Sequence, residues 1–270
     1  MTEVRPAAVA GMFYPRAPQA LEADVRAHLA RATREPRVAA KAPKAIIAPH
    51  AGYVYSGPIA GSVYARLAPA RDTIRRVVLL GPTHRVAVRG LAVPGAREFA
   101  TPLGVVEVDQ EALAVARMLP QVRESDAAHA LEHSLEVQLP FLQTVLARFK
   151  IVPFAVGDAS PQEVAAVIER LWGGVETLIV VSSDLSHYHR YAEAREIDRG
   201  TATAILACLP SLDHEQACGA TPINGLLLCA QRHGLTPELL DLRNSGDTAG
   251  DKGRVVGYAA FAFAEGVGHG

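Results

Sequence analysis

The chain has 270 residues, with 27 Lys and Arg against 28 Asp and Glu, a formal net charge of −1. Apolar residues make up 49% and charged residues 20% of it, which excludes a disordered chain and suits a protein with a substantial buried core. Balanced charge gives no general attraction to nucleic acid or to an anionic membrane surface, so neither is expected as a partner. No apolar run approaches the ~20 residues of a membrane-spanning helix.

The N-terminal stretch MTEVRPAAVAGMFYP has its apolar patch broken by Pro6, Gly11 and Pro15. It lacks the charged start and long apolar run of a signal peptide, and the expected location is the cytoplasm. There the three cysteines, Cys208, Cys218 and Cys229, are expected to stay reduced. Residues 18–34 carry helical spacing, with Leu21, Val25 and Leu29 on one stripe, and the proline- and charge-bearing residues 35–43 read as a connector. A strand over 44–49 runs directly into His50, and helical spacing returns at 57–69. Residues 75–82 form the clearest buried strand, stopped by Gly81 and Pro82 just before His84. Strands at 90–95 and 103–109 are expected to pair around a turn at Glu98–Pro102. Helices follow at 109–119 and 132–148, a strand at 151–156, and a helix at 160–172. A second buried strand spans 177–187. Helices at 189–208 and 222–233 precede a last strand at 254–264. This alternation predicts an α/β fold: a three-layer sandwich with a mostly parallel or mixed central sheet between helices. With no repeat or linker to divide it, the chain reads as one domain over 5–264, with a flexible tail at 265–270.

Three apolar strands each run into a polar group containing histidine: His50, His84 and His187. Ligands of open α/β sheets bind beyond the carboxyl ends of the strands, so parallel strands would bring these imidazoles to one edge. The 34-residue separation of His50 and His84 suits one strand–helix–strand unit, which predicts neighbouring strand ends for the pair. Taken singly, His50 reads sooner as a loop residue that hydrogen-bonds backbone, and His84 reads as a surface residue beside Arg85. Asp184 and His187 are three apart, so a helical turn would set the carboxylate beside the imidazole, raising its basicity and fixing its tautomer. Asp184 would alternatively cap the helix after it, helped by Ser182 or Ser183. Glu132 and His133, at the expected start of a helix with apolar face Leu135, Leu139 and Leu142, are candidate pocket residues, as are Tyr53 and Ser183. Glu132 reads equally as a charge complementing a helix dipole. Cys208 and Cys229 sit among Ala and Leu and read as core residues. Cys218 precedes a helix start, where a lowered pKa would favour thiolate, a metal ligand or a nucleophile.

The blocks APHAGYVYSG, LLGPTHR, FATPLG, EHSLEVQLPF, VVSSDLSHY and ACGATPI, in that order, resemble the Memo-like family (mediator of cell motility in animals). Its prokaryotic members are called AmmeMemoRadiSam system protein B. The resemblance runs from RPAAVAGMFYP (5–15) to GYAAFAF (257–263). It implies a fold similar to the catalytic subunit of class III extradiol dioxygenases, which use nonheme Fe(II). By motif it implies metal ligands at His50, His84 and Cys218, and an acid–base histidine at His187. Where the dioxygenases complete the site with a carboxylate, Cys218 stands here, and a thiolate changes the iron's potential and is itself oxidisable. The implied cofactor is Fe(II), with Cu or Zn also allowed by the ligand types.

Three functions follow from these residues. The first is a metal-dependent redox enzyme of dioxygenase type acting on an unknown small substrate, with His187 moving a proton and Asp184 orienting it. The second is a non-catalytic protein that uses the same cleft for a peptide or for a partner protein from its gene neighbourhood, of the radical-SAM type. The third makes Cys218 a nucleophile with His187 as its base, which leaves His50 and His84 unemployed.

Overall fold

A computed structural model describes residues 3–32 and 42–265. In chain order the elements are β1 (Val4–Arg5), α1 (Pro18–Ala32), β2 (Ala45–Ala48), α2 (Tyr53–Tyr64), β3 (Arg76–Pro82), β4 (Leu91–Val93), β5 (Glu98–Thr101), β6 (Gly104–Glu107), α3 (Gln110–Ala116), β7 (Val122–Glu124) and α4 (Asp126–Ala130). Then come α5 (Leu139–Val145), β8 (Lys150–Val156), α6 (Pro161–Arg170), β9 (Thr177–Ser182), β10 (His187–His189), α7 (Tyr191–Leu206), α8 (Ala220–His233), β11 (Leu235–Asn244), α9 (Ser245–Thr248) and β12 (Val255–Glu265).

A nine-stranded mixed sheet forms the centre, in the order β10-β12-β2-β9-β3-β8-β4-β7, with β11 also on β12. Strands β2, β9, β3 and β8 are mutually parallel. The residues of β2 and β9 are all buried, and only the first residue of β3 is not, as expected of parallel strands covered on both faces. Helices α1, α2 and α5 pack together, with α2 against β2 and β12. Helices α3, α6 and α8 form the other group, with α8 against β3 and β9. The result is a mixed α/β domain whose sheet is flanked by helices.

The approach of α1 to α2 depends on two glycines one turn apart. A Cβ at Gly57 would lie 2.4 Å from His28 Nε2, and one at Gly61 would lie 2.7 Å from the His28 carbonyl oxygen. His28 therefore joins Leu21 and Val25 on the buried stripe, where Leu29 was expected.

Several expectations are corrected. Strands β2 and β3 are not neighbours, because β9 lies between them. Residues 90–95 and 103–109 do not pair; Glu98–Thr101 is itself a strand paired with β6, while β4 joins the central sheet. No single helix covers 132–148. A short helix ends at Ala130, and regular α-structure resumes at Leu139 after an irregular stretch and a 3₁₀ turn. Strand 177–187 stops at Ser182, and α2 begins at Tyr53, ahead of the expected 57. Strand β11, not read from the sequence, carries Pro237 and, among the described residues, pairs only with β12, the edge position where a missing N–H is tolerated. The Glu3 carbonyl accepts from the Arg97 and Glu98 amides. The connector at 35–43 falls largely, and the tail at 265–270 all but Glu265, outside the described residues.

Candidate metal centre

The carboxyl ends of the parallel strands place the histidines. His50 follows β2, His84 follows β3, and β9 between them ends in Ser182 and leads to Asp184. His133 arrives from the irregular stretch before α5. One ring nitrogen from each of His50, His84 and His133 lies within 4.8 Å of the others. Ring centroids are 5.2 Å apart for His50 and His84, 5.4 Å for His50 and His133, and 4.6 Å for His84 and His133, the last pair stacked. Cys218 Sγ lies 3.3 Å from His50 Nε2.

Glu132 organises the outer side of this cluster. Its Oε2 accepts from the His84 amide at 2.6 Å, and its Oε1 accepts from His84 Nδ1–H at 2.8 Å. Oε1 also accepts from the His133 and Ser134 amides, each at 2.9 Å. Burial would raise this carboxyl's pKa, but these donors hold it at about 2. The ionised carboxylate leaves His84 Nε2 free to face the other rings. Burial pushes His50 down to about 3, reinforced by the neighbouring His84, and pushes His133 down to about 4, reinforced by His50. These two rings are thus neutral at pH 7.

Asp184 does not sit on a helical turn with His187. Its Oδ1 accepts from the His50 amide at 2.7 Å, and the Ala51 amide also donates to this carboxylate. It therefore holds the loop that carries His50, and no helix follows for it to cap: α7 begins at Tyr191, with Arg190 at its N-cap. Burial raises its pKa despite these donors. His187 lies half-buried on β10, opposite Val256 of β12, close enough that charge on its ring acts on both Asp184 and His50.

Cys218 stands two residues before α8, where close approach to β9 is required. A Cβ at Gly219 would lie 2.7 Å from both Cβ and Oγ of Ser183. Ser183 Oγ accepts from the Gly219 amide at 2.9 Å, donates to the Asp184 carbonyl at 2.7 Å, and lies 3.8 Å from Cys218 Sγ. The expected lowering of the Cys218 pKa is corrected. Burial, with the nearby Asp184 carboxylate, pushes the thiol up to about 12, so at pH 7 it is a neutral thiol beside a neutral imidazole.

Tyr53 is a packing residue. Its hydroxyl donates to the Val137 carbonyl at 2.6 Å, and its ring packs against Tyr14 and Phe141. The aromatic wall of the cluster is Phe13, 4.6 Å from the His133 ring. Nothing in the sequence around Phe13 signals that role. For His133, the adjacency of Glu132 and a histidine is a readable signal, though its meaning, one carboxylate oxygen 2.8 Å from His84 Nδ1 and 3.3 Å from His133 Nδ1, is not.

Three imidazoles, a thiol and an ionised carboxylate bound to the back of one imidazole match the donor types and outer-shell pattern of Fe, Cu or Zn sites. No helix of the described residues is long and apolar enough to cross a membrane.

A family model for Memo-like proteins matches residues 5–262. A MEMO1 family protein of Aquifex aeolicus is 38% identical over 279 residues, covering 96% of this chain and 99% of that protein. One from Methanosarcina acetivorans is 39% identical over 273 residues, covering 96% and 98%. Among solved structures, an uncharacterized Escherichia coli K12 protein superposes with a TM-score of 0.48 at 14% identity, covering 81% of this chain and 98% of that one. The chain belongs to the Memo-like family.

Proposed function

We propose that this chain is a metal-dependent redox protein of dioxygenase type that acts on a small substrate in a reducing, cytoplasmic setting. The observation that carries this reading is the convergence of His50, His84 and His133 within 4.8 Å, with Cys218 Sγ 3.3 Å from His50 Nε2. His50, His84 and Cys218 would hold the cation, and His133 offers a further nitrogen beside them. Fe(II) suits this mixed nitrogen and sulfur set, as do Cu and Zn, and bound iron would supply one-electron chemistry with positions left open for substrate.

The protein's own groups do the rest. Glu132 fixes the His84 ring through its Nδ1 and its backbone amide. Asp184 holds the His50 loop by two backbone amides. Phe13 shields one side of the His133 ring. His187, from β10 on the far side of β12 from β2, is the group for taking or giving a proton on bound substrate.

The test is elemental mass spectrometry on protein expressed anaerobically without a chelating tag, for the wild type, His50→Ala and Cys218→Ala. Near-stoichiometric Fe or Cu in the wild type and its loss from both variants is the expected result. Full metal retention in both variants, or no metal in any of the three proteins, would sink the proposal.

A further inference from the structure

We infer that Ser182 and Gln138 are positioning residues that lock His50 in its Nδ1–H tautomer and so hold its Nε2 lone pair toward His84, His133 and Cys218. The consequence for metal binding rests on the reading proposed above; the tautomer itself does not.

The inference follows from counting hydrogens along one buried chain. Gln138 is the starting point, because its amide has only one orientation that fits. Pro49 offers a carbonyl, which can only accept, 3.0 Å from Gln138 Nε2, and the Tyr64 hydroxyl donates to Gln138 Oε1 at 2.8 Å. The amide nitrogen therefore faces Ser182, and Gln138 Nε2 donates its second hydrogen to Ser182 Oγ at 2.8 Å. Ser182 has one hydrogen to give. Its neighbours are Gln138 Nε2, which only donates, the Ser134 carbonyl at 2.6 Å, which only accepts, and His50 Nδ1 at 2.9 Å. The hydroxyl hydrogen must go to Ser134.

Both lone pairs of Ser182 Oγ are then acceptors, one for Gln138 and one for His50. The ring nitrogen at Nδ1 must carry hydrogen, and in a neutral imidazole Nε2 must be bare. The reverse arrangement would set the buried Ser134 carbonyl against a lone pair at 2.6 Å with no hydrogen between them. Tyr64 and Ser182 are 0% exposed and Gln138 is 1% exposed, so bulk water cannot relieve the conflict. Where His84 is held at Nδ1 by a carboxylate, His50 is held at Nδ1 by a neutral relay. Gln138 lies in EHSLEVQLPF and Ser182 in VVSSDLSHY, so these two blocks meet in this relay.

The experiment uses the full chain, metal-free and carrying ¹⁵N-labelled histidine, and reads the protonated ring nitrogen of His50 from long-range ¹H–¹⁵N correlations. Co²⁺ titration followed by visible absorbance is run in parallel. The expected result is Nδ1–H in the wild type and a shift toward Nε2–H in Ser182→Ala, with Co²⁺ bound about 10- to 100-fold more weakly by the variant. Ser182→Thr, which keeps the hydroxyl, should retain the wild-type tautomer. An Nε2–H ring in the wild type overturns the inference whether or not any variant folds, and so does Ser182→Ala with pure Nδ1–H. Wild-type protein with the Nδ1–H ring but no Co²⁺ binding supports the lock and overturns the metal reading, so the two failures are distinguishable.

Discussion

Glu132 shows how much one residue can organise. Its two oxygens accept four hydrogen bonds, two from His84 and one each from His133 and Ser134. The helix-dipole reading of this residue does not hold, since no helix begins at 132. Glu132→Gln keeps an oxygen for the amides but puts an NH₂ where one of the carboxylate oxygens was, and on the proposed metal-binding reading it removes the charge that would make His84 a better ligand. We expect metal affinity to fall about 10- to 100-fold with the fold retained, measured by competition against a chelator of known affinity. An unchanged affinity would show that His84 needs no partner on Nδ1. At the same scale, Tyr53 and Cys218 mark the limit of reading residue types. A tyrosine near a histidine in sequence turns out to be core, and a thiol near a helix start has its pKa raised because burial outweighs the helix.

Among the elements, α3 gives the clearest coupling of local sequence to pH. Asp109 caps this helix by accepting from the Ala112 amide at 3.0 Å, and its other oxygen accepts from Arg76 of β3 at 2.8 Å. Burial works to raise its pKa, but the Ala112 amide and the Arg76 guanidinium bring it below the ordinary carboxylate value. The ionised cap therefore contributes stability that is fully present above the unfolded pKa of ~3.9 and is lost as pH falls through the lower folded value. Asp109→Ala should cost about 1 kcal/mol in urea unfolding at pH 7. The difference between the two proteins should shrink below pH ~3.9, and a gap that stays constant at lower pH would contradict the assignment. Strands β2, β3 and β9 were legible because continuous apolar runs signal burial on both faces. Strand β11 was not, because Pro237 and its mixed spacing resemble a loop until β12 supplies the pairing.

Across the whole molecule, a buried ion pair fastens the N-terminal segment to the site. Arg5 pairs with Glu136, both essentially unexposed, and also donates to the carbonyls of His129 and Glu132, at 2.9 and 2.6 Å. Glu136 in turn accepts from the Ala8 and Val9 amides and the Tyr14 hydroxyl. One carboxylate thus ties down the segment that presents Phe13 to His133. Arg5→Met leaves that buried charge without its cation and should destabilise the protein by roughly 3–5 kcal/mol, read from chemical denaturation. A further substitution, Glu136→Gln, should recover part of the loss; no recovery would mean that Arg5 matters through its carbonyl contacts alone.

By itself the sequence determined the alternating α/β character, the buried strands, and the placement of His50, His84 and Asp184 at or beyond strand carboxyl ends, because apolar runs and their polar stops are local signals. It also identified the Memo-like family through six ordered blocks. Only the tertiary structure decided that β9 runs between β2 and β3 and that His133 joins the two histidines. The same holds for Asp184, which holds the His50 loop without bonding His187, and for Arg5 and Glu136, which meet across 131 positions. Strand order, and the partner a buried polar group finds, depend on which distant segments must share one desolvated volume, and no local pattern encodes that.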